Sequence, residues 1–145
     1  IGNPEGEEII TLREGFAKGT LVGGNLSLMA GTLGSPYEID TKGKILFIED
    51  VDEMPFRLDK MLTALALAGK FRDCEGIILG TFERCEEADH PSLTLREIFE
   101  EVVLPWNKPT LLNLRAGHIY PQSTLPMGAE VSFEAKEGMT HISVL

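Results

Sequence analysis

The stretch Lys44-Ile-Leu-Phe-Ile-Glu-Asp-Val-Asp-Glu-Met-Pro-Phe-Arg-Leu-Asp-Lys-Met-Leu62 leaves this chain few folds to choose from. Ile45 to Ile48 form a continuous apolar run, too short for a helix and β-rich, which predicts a buried strand. The run breaks off in acids: Glu49, Asp50, Asp52 and Glu53. Pro55 then sits where a first helical turn tolerates it, because the N–H it lacks would have had no partner there. Leu58, Met61, Leu62 and Leu65 recur at i, i+3, i+4 and i+7, the stripe of a helix packed on a sheet, and Gly69 is a plausible stop. A dry strand that runs into a strand–helix turn is how many α/β folds deliver a carboxylate to a working edge. Glu49 is therefore the residue to explain.

The rest of the chain fits around that unit. Residues 1–14 read as an interdomain linker and a first edge strand: positions 1–8 are polar and turn-rich, and Ile9–Leu12 suits the strand. The opening Ile1-Gly-Asn-Pro-Glu-Gly, without an initiator Met, predicts an excised domain over 15–145. Thr20–Val22 suits a strand, Gly23-Gly24 a tight turn and Asn25 a helix N-cap. Leu26, Met29, Ala30 and Leu33 then mark a short helix ended by Gly34-Ser-Pro36. A glycine pair feeding a helix leaves N–H groups facing outward, which suits an anion or a carbonyl. No Lys follows as in a P-loop, so a structural turn bordering a site is the simpler reading.

Further along, Gly76–Phe82 is another apolar strand and 83–92 a polar, exposed loop. Thr94 and Glu97 match a capping box for a helix striped by Leu95, Ile98, Phe99 and Val102, with Pro105 as its stop. Thr110–Asn113 is a short strand. Glu130–Ala135 alternates, turns at Lys136-Glu-Gly-Met139 and returns over Thr140–Leu145 as an antiparallel hairpin. Such a hairpin after alternating strands and helices predicts an α/β fold with mixed sheets rather than a doubly wound one.

Composition removes whole classes of function. With 13 basic against 23 acidic residues the net charge is −10, which excludes the basic footprint that nucleic acid or an anionic membrane surface requires. No apolar run approaches the roughly 20 residues of a membrane span, and no signal peptide is visible. Cys74 and Cys85 read as cytosolic thiols, which points to the cytoplasm. Glu86, Glu87, Asp89 and His90 lack the paired His or Cys spacing of a metal site, so no metal or other cofactor is expected.

His118 follows a strand and a glycine, and with Glu49 it could form half of a Ser–His–acid relay. In such a relay the acid fixes the imidazole tautomer while the His takes the nucleophile's proton. The two lie 69 positions apart, so only the fold can join them. The nucleophile is missing: there is no G-x-S-x-G elbow, and the serines fall in expected helix, loop or strand. Glu53 and Arg57 either line a pocket or pair on the first helical turn, and His141 lies on the polar face of the last strand.

Gly23-Gly-Asn-Leu-Ser-Leu28, Gly34-Ser-Pro-Tyr37, Ile45-Leu-Phe-Ile-Glu-Asp-Val51, Phe56-Arg-Leu-Asp-Lys-Met-Leu62, and Gly117-His118 with Leu125-Pro-Met-Gly128 stand in a fixed order. The series resembles the C-terminal domain of the LD-carboxypeptidases, the muramoyltetrapeptide carboxypeptidases and microcin C self-immunity peptidases, over residues 15–145. The resemblance implies a layered β/β/α swivelling-type domain of a cytoplasmic serine carboxypeptidase. Such an enzyme releases terminal D-Ala from cell-wall tetrapeptides or, in the self-immunity branch, acts on peptidyl nucleotides. It further implies Glu49 and His118 as catalytic acid and base, and a substrate region at Gly23, Gly24, Asn25, Glu53 and Arg57. The nucleophilic Ser would lie on an N-terminal partner domain, the intact enzyme would be a homodimer, and this chain alone would be inactive. The rival reading is a non-catalytic binding or assembly module that keeps the fold. Glu49 and His118 are expected at strand ends, outside the core, partly exposed to one cleft. An apolar patch from the lost domain contact is expected near Val22–Leu26 and Met54–Phe56.

Overall fold

A computed structural model describes residues 1–145 as one mixed sheet of seven strands with its helices. In chain order the elements are β1 (Ile10–Arg13), β2 (Gly15–Asn25), α1 (Leu26–Gly31), β3 (Lys44–Val51), α2 (Pro55–Leu67) and α3 (Lys70–Asp73). They continue with β4 (Gly76–Glu83), α4 (Leu95–Val102), β5 (Thr110–Leu112), β6 (Glu130–Ala135) and β7 (His141–Val144). The strand order is β1-β5-β4-β3-β2-β6-β7. The central strands β5, β4, β3 and β2 run parallel. Strand β1 closes one edge antiparallel, and the β6–β7 hairpin closes the other.

Strand alternation sorts the central residues onto two faces. Leu46 and Ile48 of β3, with Ile77 and Leu79 of β4, pack under Leu58, Leu62 and Leu65 of α2 and Ile98 and Phe99 of α4. Their neighbours Ile45, Phe47 and Ile78 point the other way and pack against Leu21, Val131, Phe133 and Ile142. No helix covers that second face: the sheet curls onto itself, which gives the β/β/α layering. Gly76 shows how tightly, since a Cβ there would lie 2.5 Å from the Ala17 Cβ and 2.8 Å from the Phe133 ring.

Several expected boundaries moved. The expected mixing of parallel and antiparallel strands is present, within one seven-stranded sheet. Of segment 13–19, which has no clear local pattern, Arg13 ends β1 and residues 15–19 form the first part of β2, paired antiparallel with β6. Gly23-Gly24 is not a tight turn. Both glycines continue β2 with φ of +123° and +146°, paired in register with Phe47 and Ile48 of β3. Strand β3 runs past Ile48 to Val51, so Glu49 and Asp50 lie within it. The short α3 follows Gly69, whose left-handed φ of +79° ends α2. Pro105 does not end the chain's winding at once but sits in a 3-10 turn over Leu104–Trp106 after α4. The capping box is present, with Thr94 and Glu97 each satisfying the other's backbone N–H.

Candidate active site

At the C-terminal end of β3 two acids follow each other and face opposite sides. Glu49 shares the parity of Ile45 and Phe47 and turns to the helix-free face, whereas Asp50 shares the parity of Leu46 and Ile48 and turns toward α1. Opposite them the ladder slips: Ile48 pairs with Leu79 but Asp50 with Phe82, so β4 holds an extra residue at Gly80-Thr81. A bulge of this kind bends the strand and re-aims its side chains.

Glu49 Oε2 lies 2.9 Å from His118 Nδ1. With the Glu49 carboxylate as acceptor, Nδ1 carries the proton and Nε2 is left as the ring's acceptor. The imidazole side chain is 57% exposed and the carboxylate only 6%. Glu49 is thus a buried residue, contrary to the expectation of partial exposure and a place outside the core. The cause is the length of β3, which carries Glu49 one residue deeper than a strand ending at Ile48 would. Glu49 raises the His118 pKa above its ordinary value, chiefly through the hydrogen bond and then through charge, with Asp50 and Asp52 adding to it.

Asn25, which pairs with Glu49 in the β2–β3 register, ties the two acids together. Its Nδ2 donates to Glu49 Oε1 and to Asp50 Oδ1, each at 3.2 Å, while its Oδ1 accepts from the Leu28 N–H as the α1 cap. Asp50 accepts from both the backbone N–H and the hydroxyl of Ser27, at 3.0 and 2.7 Å. Asp50, only 2% exposed, therefore anchors the start of α1, a role that the Glu-Asp doublet at the end of an apolar strand could have signalled.

Of the other expected site residues, Gly23 and Gly24 line a groove of about 360 Å³ beside the pair, together with Phe47, Gly117, Leu125 and Met127. Glu53 and Arg57 approach to 4.0 Å across one helical turn. Glu53 also accepts from the Ser27 hydroxyl at 3.3 Å. At the rim, Arg84 forks onto Asp52 at 2.6 and 2.8 Å and holds that carboxylate below its usual range. No group of His, Cys, Asp and Glu is arranged to hold a metal ion. Met54 and Phe56 are exposed, as expected of a patch there, but Leu26, the first residue of α1, is fully buried in the core on the helix side of the sheet.

The fold is thus a curled α/β domain that brings a buried carboxylate at the end of β3 against an exposed imidazole on the loop after β5. The chain belongs to the LD-carboxypeptidase C-terminal domain family, whose model matches residues 18–133. It is 42% identical over 135 residues to a protein of Bacillus subtilis (strain 168) named as a probable murein peptide carboxypeptidase. That match covers 90% of this chain and 42% of the relative. The crystal structure of muramoyltetrapeptide carboxypeptidase from Oxalobacter formigenes is similar at TM-score 0.82 and 27% identity, over 95% of this chain and 50% of that one. The microcin C7 self immunity protein MccF, in its wild-type apo state, is similar at TM-score 0.81 and 26% identity, over 95% of this chain and 41% of that one. The chain thus spans half or less of the length of these relatives.

Proposed function

We propose that this chain supplies the acid and the base of a Ser–His–Glu relay in a serine carboxypeptidase that removes terminal D-Ala from cell-wall tetrapeptides. The observation that carries the reading is the 2.9 Å contact between a buried Glu49 carboxylate and the exposed His118 ring. In this reading Glu49 holds the Nδ1 proton, so Nε2 faces outward as the base for a serine hydroxyl. When Nε2 takes that proton, the buried carboxylate stabilises the imidazolium. Ser27 Oγ is engaged by Asp50 and Glu53, and in this reading the nucleophile comes from a preceding domain. The enzyme would work in the cytoplasm as a homodimer on a small peptide, with Gly23 and Gly24 bordering the bound substrate.

The test joins this chain to such a domain and measures D-Ala release from an L,D-tetrapeptide. The isolated chain should be inactive, since acid and base without a nucleophile have nothing to activate. In the joined protein His118→Ala should abolish most of the rate, and Glu49→Gln should cost on the order of 10³–10⁴-fold in kcat. Near-full activity of Glu49→Gln would overturn the relay. Cleavage of a peptidyl nucleotide but not of the tetrapeptide would move the substrate to the self-immunity class. Inactivity on both would favour a non-catalytic module.

A further inference from the structure

The backbone that carries His118 reaches Glu49 through an unusually close approach. Gly117 has φ +128°, and a Cβ there would stand 2.7 Å from Glu49 Oε2, 2.8 Å from Thr81 Oγ1 and 3.0 Å from Glu49 Cβ. A side chain at 117 would occupy the space in which the carboxylate meets the imidazole. Just before it, the Ala116 carbonyl accepts two hydrogen bonds from one residue, the Thr81 backbone N–H and the Thr81 hydroxyl, each at 3.1 Å. Gly80 makes room for that carbonyl, since a Cβ there would lie 2.6 Å from the Ala116 oxygen. Thr81 and Ala116 are 7% and 3% exposed, so water does not replace these bonds. Gly80 and Thr81 are the two residues at the β4 bulge opposite Glu49.

We propose that Thr81 and Gly117 are positioning residues that form a seat for the Glu49–His118 pair. The β4 bulge turns the Thr81 hydroxyl to the Ala116 carbonyl, and this fixes where the 116–118 backbone crosses the sheet. Gly117 then lets that backbone pass close enough for His118 Nδ1 to meet Glu49 Oε2. Neither residue contacts the reacting atoms. Both act through the aim of the imidazole, where a misplacement of about 1 Å can cost on the order of 10²-fold in rate. The proposal rests on the relay reading for its catalytic consequence but not for its geometry.

The test therefore reads geometry directly, by NMR titration of the His118 ring in the 145-residue chain. The acids whose charge acts on that ring, Glu49 in contact with it and Asp50 and Asp52 farther off, are left in place. Thr81→Val keeps the shape and removes the hydroxyl, and it should lower the His118 pKa toward its ordinary value. Thr81→Ser should restore the wild-type curve, and Gly117→Ala should lower the pKa as well. Thermal melting checks that each variant folds, and Gly117→Ala with Thr81→Ser keeps the test decisive should Thr81→Val not fold. In the joined enzyme the Val and Ala variants should lose roughly ten- to a hundredfold in kcat with KM unchanged. A wild-type His118 titration in either variant overturns the seat. An unchanged titration in Glu49→Gln instead refutes the pairing itself, so the two failures are distinguishable.

Discussion

Replacing Asn25 by Asp isolates the amide's donor role, because the two residues serve about equally well as helix N-caps. The Oδ1 bond to the Leu28 N–H at 3.1 Å survives the change. The two Nδ2 contacts, each at 3.2 Å, become contacts of a new carboxyl with Glu49 and Asp50. At an effective dielectric of about 20, like unit charges some 3 Å apart repel by about 5 kcal/mol. Taking up a proton is the cheaper course: from an unfolded value near 3.9, at about 1.4 kcal/mol per pH unit, it costs about 4 kcal/mol at pH 7. Partial solvent access at position 25 lowers this further, so Asn25→Asp should destabilise the fold by about 2–4 kcal/mol at pH 7. The sign follows from linkage. The new carboxyl's folded pKa lies above its unfolded value, so the folded state binds the extra proton and the deficit shrinks as pH falls. Below the folded pKa the deficit should shrink by about 1.4 kcal/mol per pH unit and close near pH 4. Urea unfolding followed by circular dichroism at pH 5, 6 and 7, taken as a difference from wild type, measures it. A deficit below about 0.5 kcal/mol at pH 7, or one that does not change with pH, would refute the reasoning.

His118 has a folded pKa raised by Glu49, so its contribution to stability is fully present below the unfolded value and is lost as pH rises through the folded one. The stability difference between wild type and His118→Gln should accordingly narrow from pH 5 to pH 9, as read by unfolding midpoints. Gly76→Ala should cost about 1–3 kcal/mol by overpacking against Ala17 and Phe133, and Phe133→Leu in the same chain should recover part of it in thermal melts. Burial pushes the Cys74 thiol up to about 12, so a disulfide reagent at pH 8 should leave it unmodified in the folded chain and label it in urea.

Local pattern was enough for the elements that obey one period. The apolar run at Ile45–Ile48, the i, i+3, i+4 stripe of α2, the Thr94–Glu97 box and the alternating β6–β7 hairpin all announce themselves within a few residues, since propensity and capping are short-range effects. Glu49 and His118 could be singled out as chemical groups for the same reason. That they meet could not be read, because a carboxylate and an imidazole 69 positions apart carry no local signal of each other. Only the parallel order β5-β4-β3-β2 brings the end of β3 under the loop that follows β5. The burial of Glu49, the bridging role of Asn25 and the course of Gly23-Gly24 as strand were likewise decided by pairing between β2 and β3. A glycine pair is equally at home in a turn or in a strand until a neighbour fixes its φ. The β4 bulge and the close pass of Gly117 over Glu49 depend on register and contact across the sheet. Those are properties of the packed chain, set by which backbone groups find partners in the core and by how little room the interior leaves beside them.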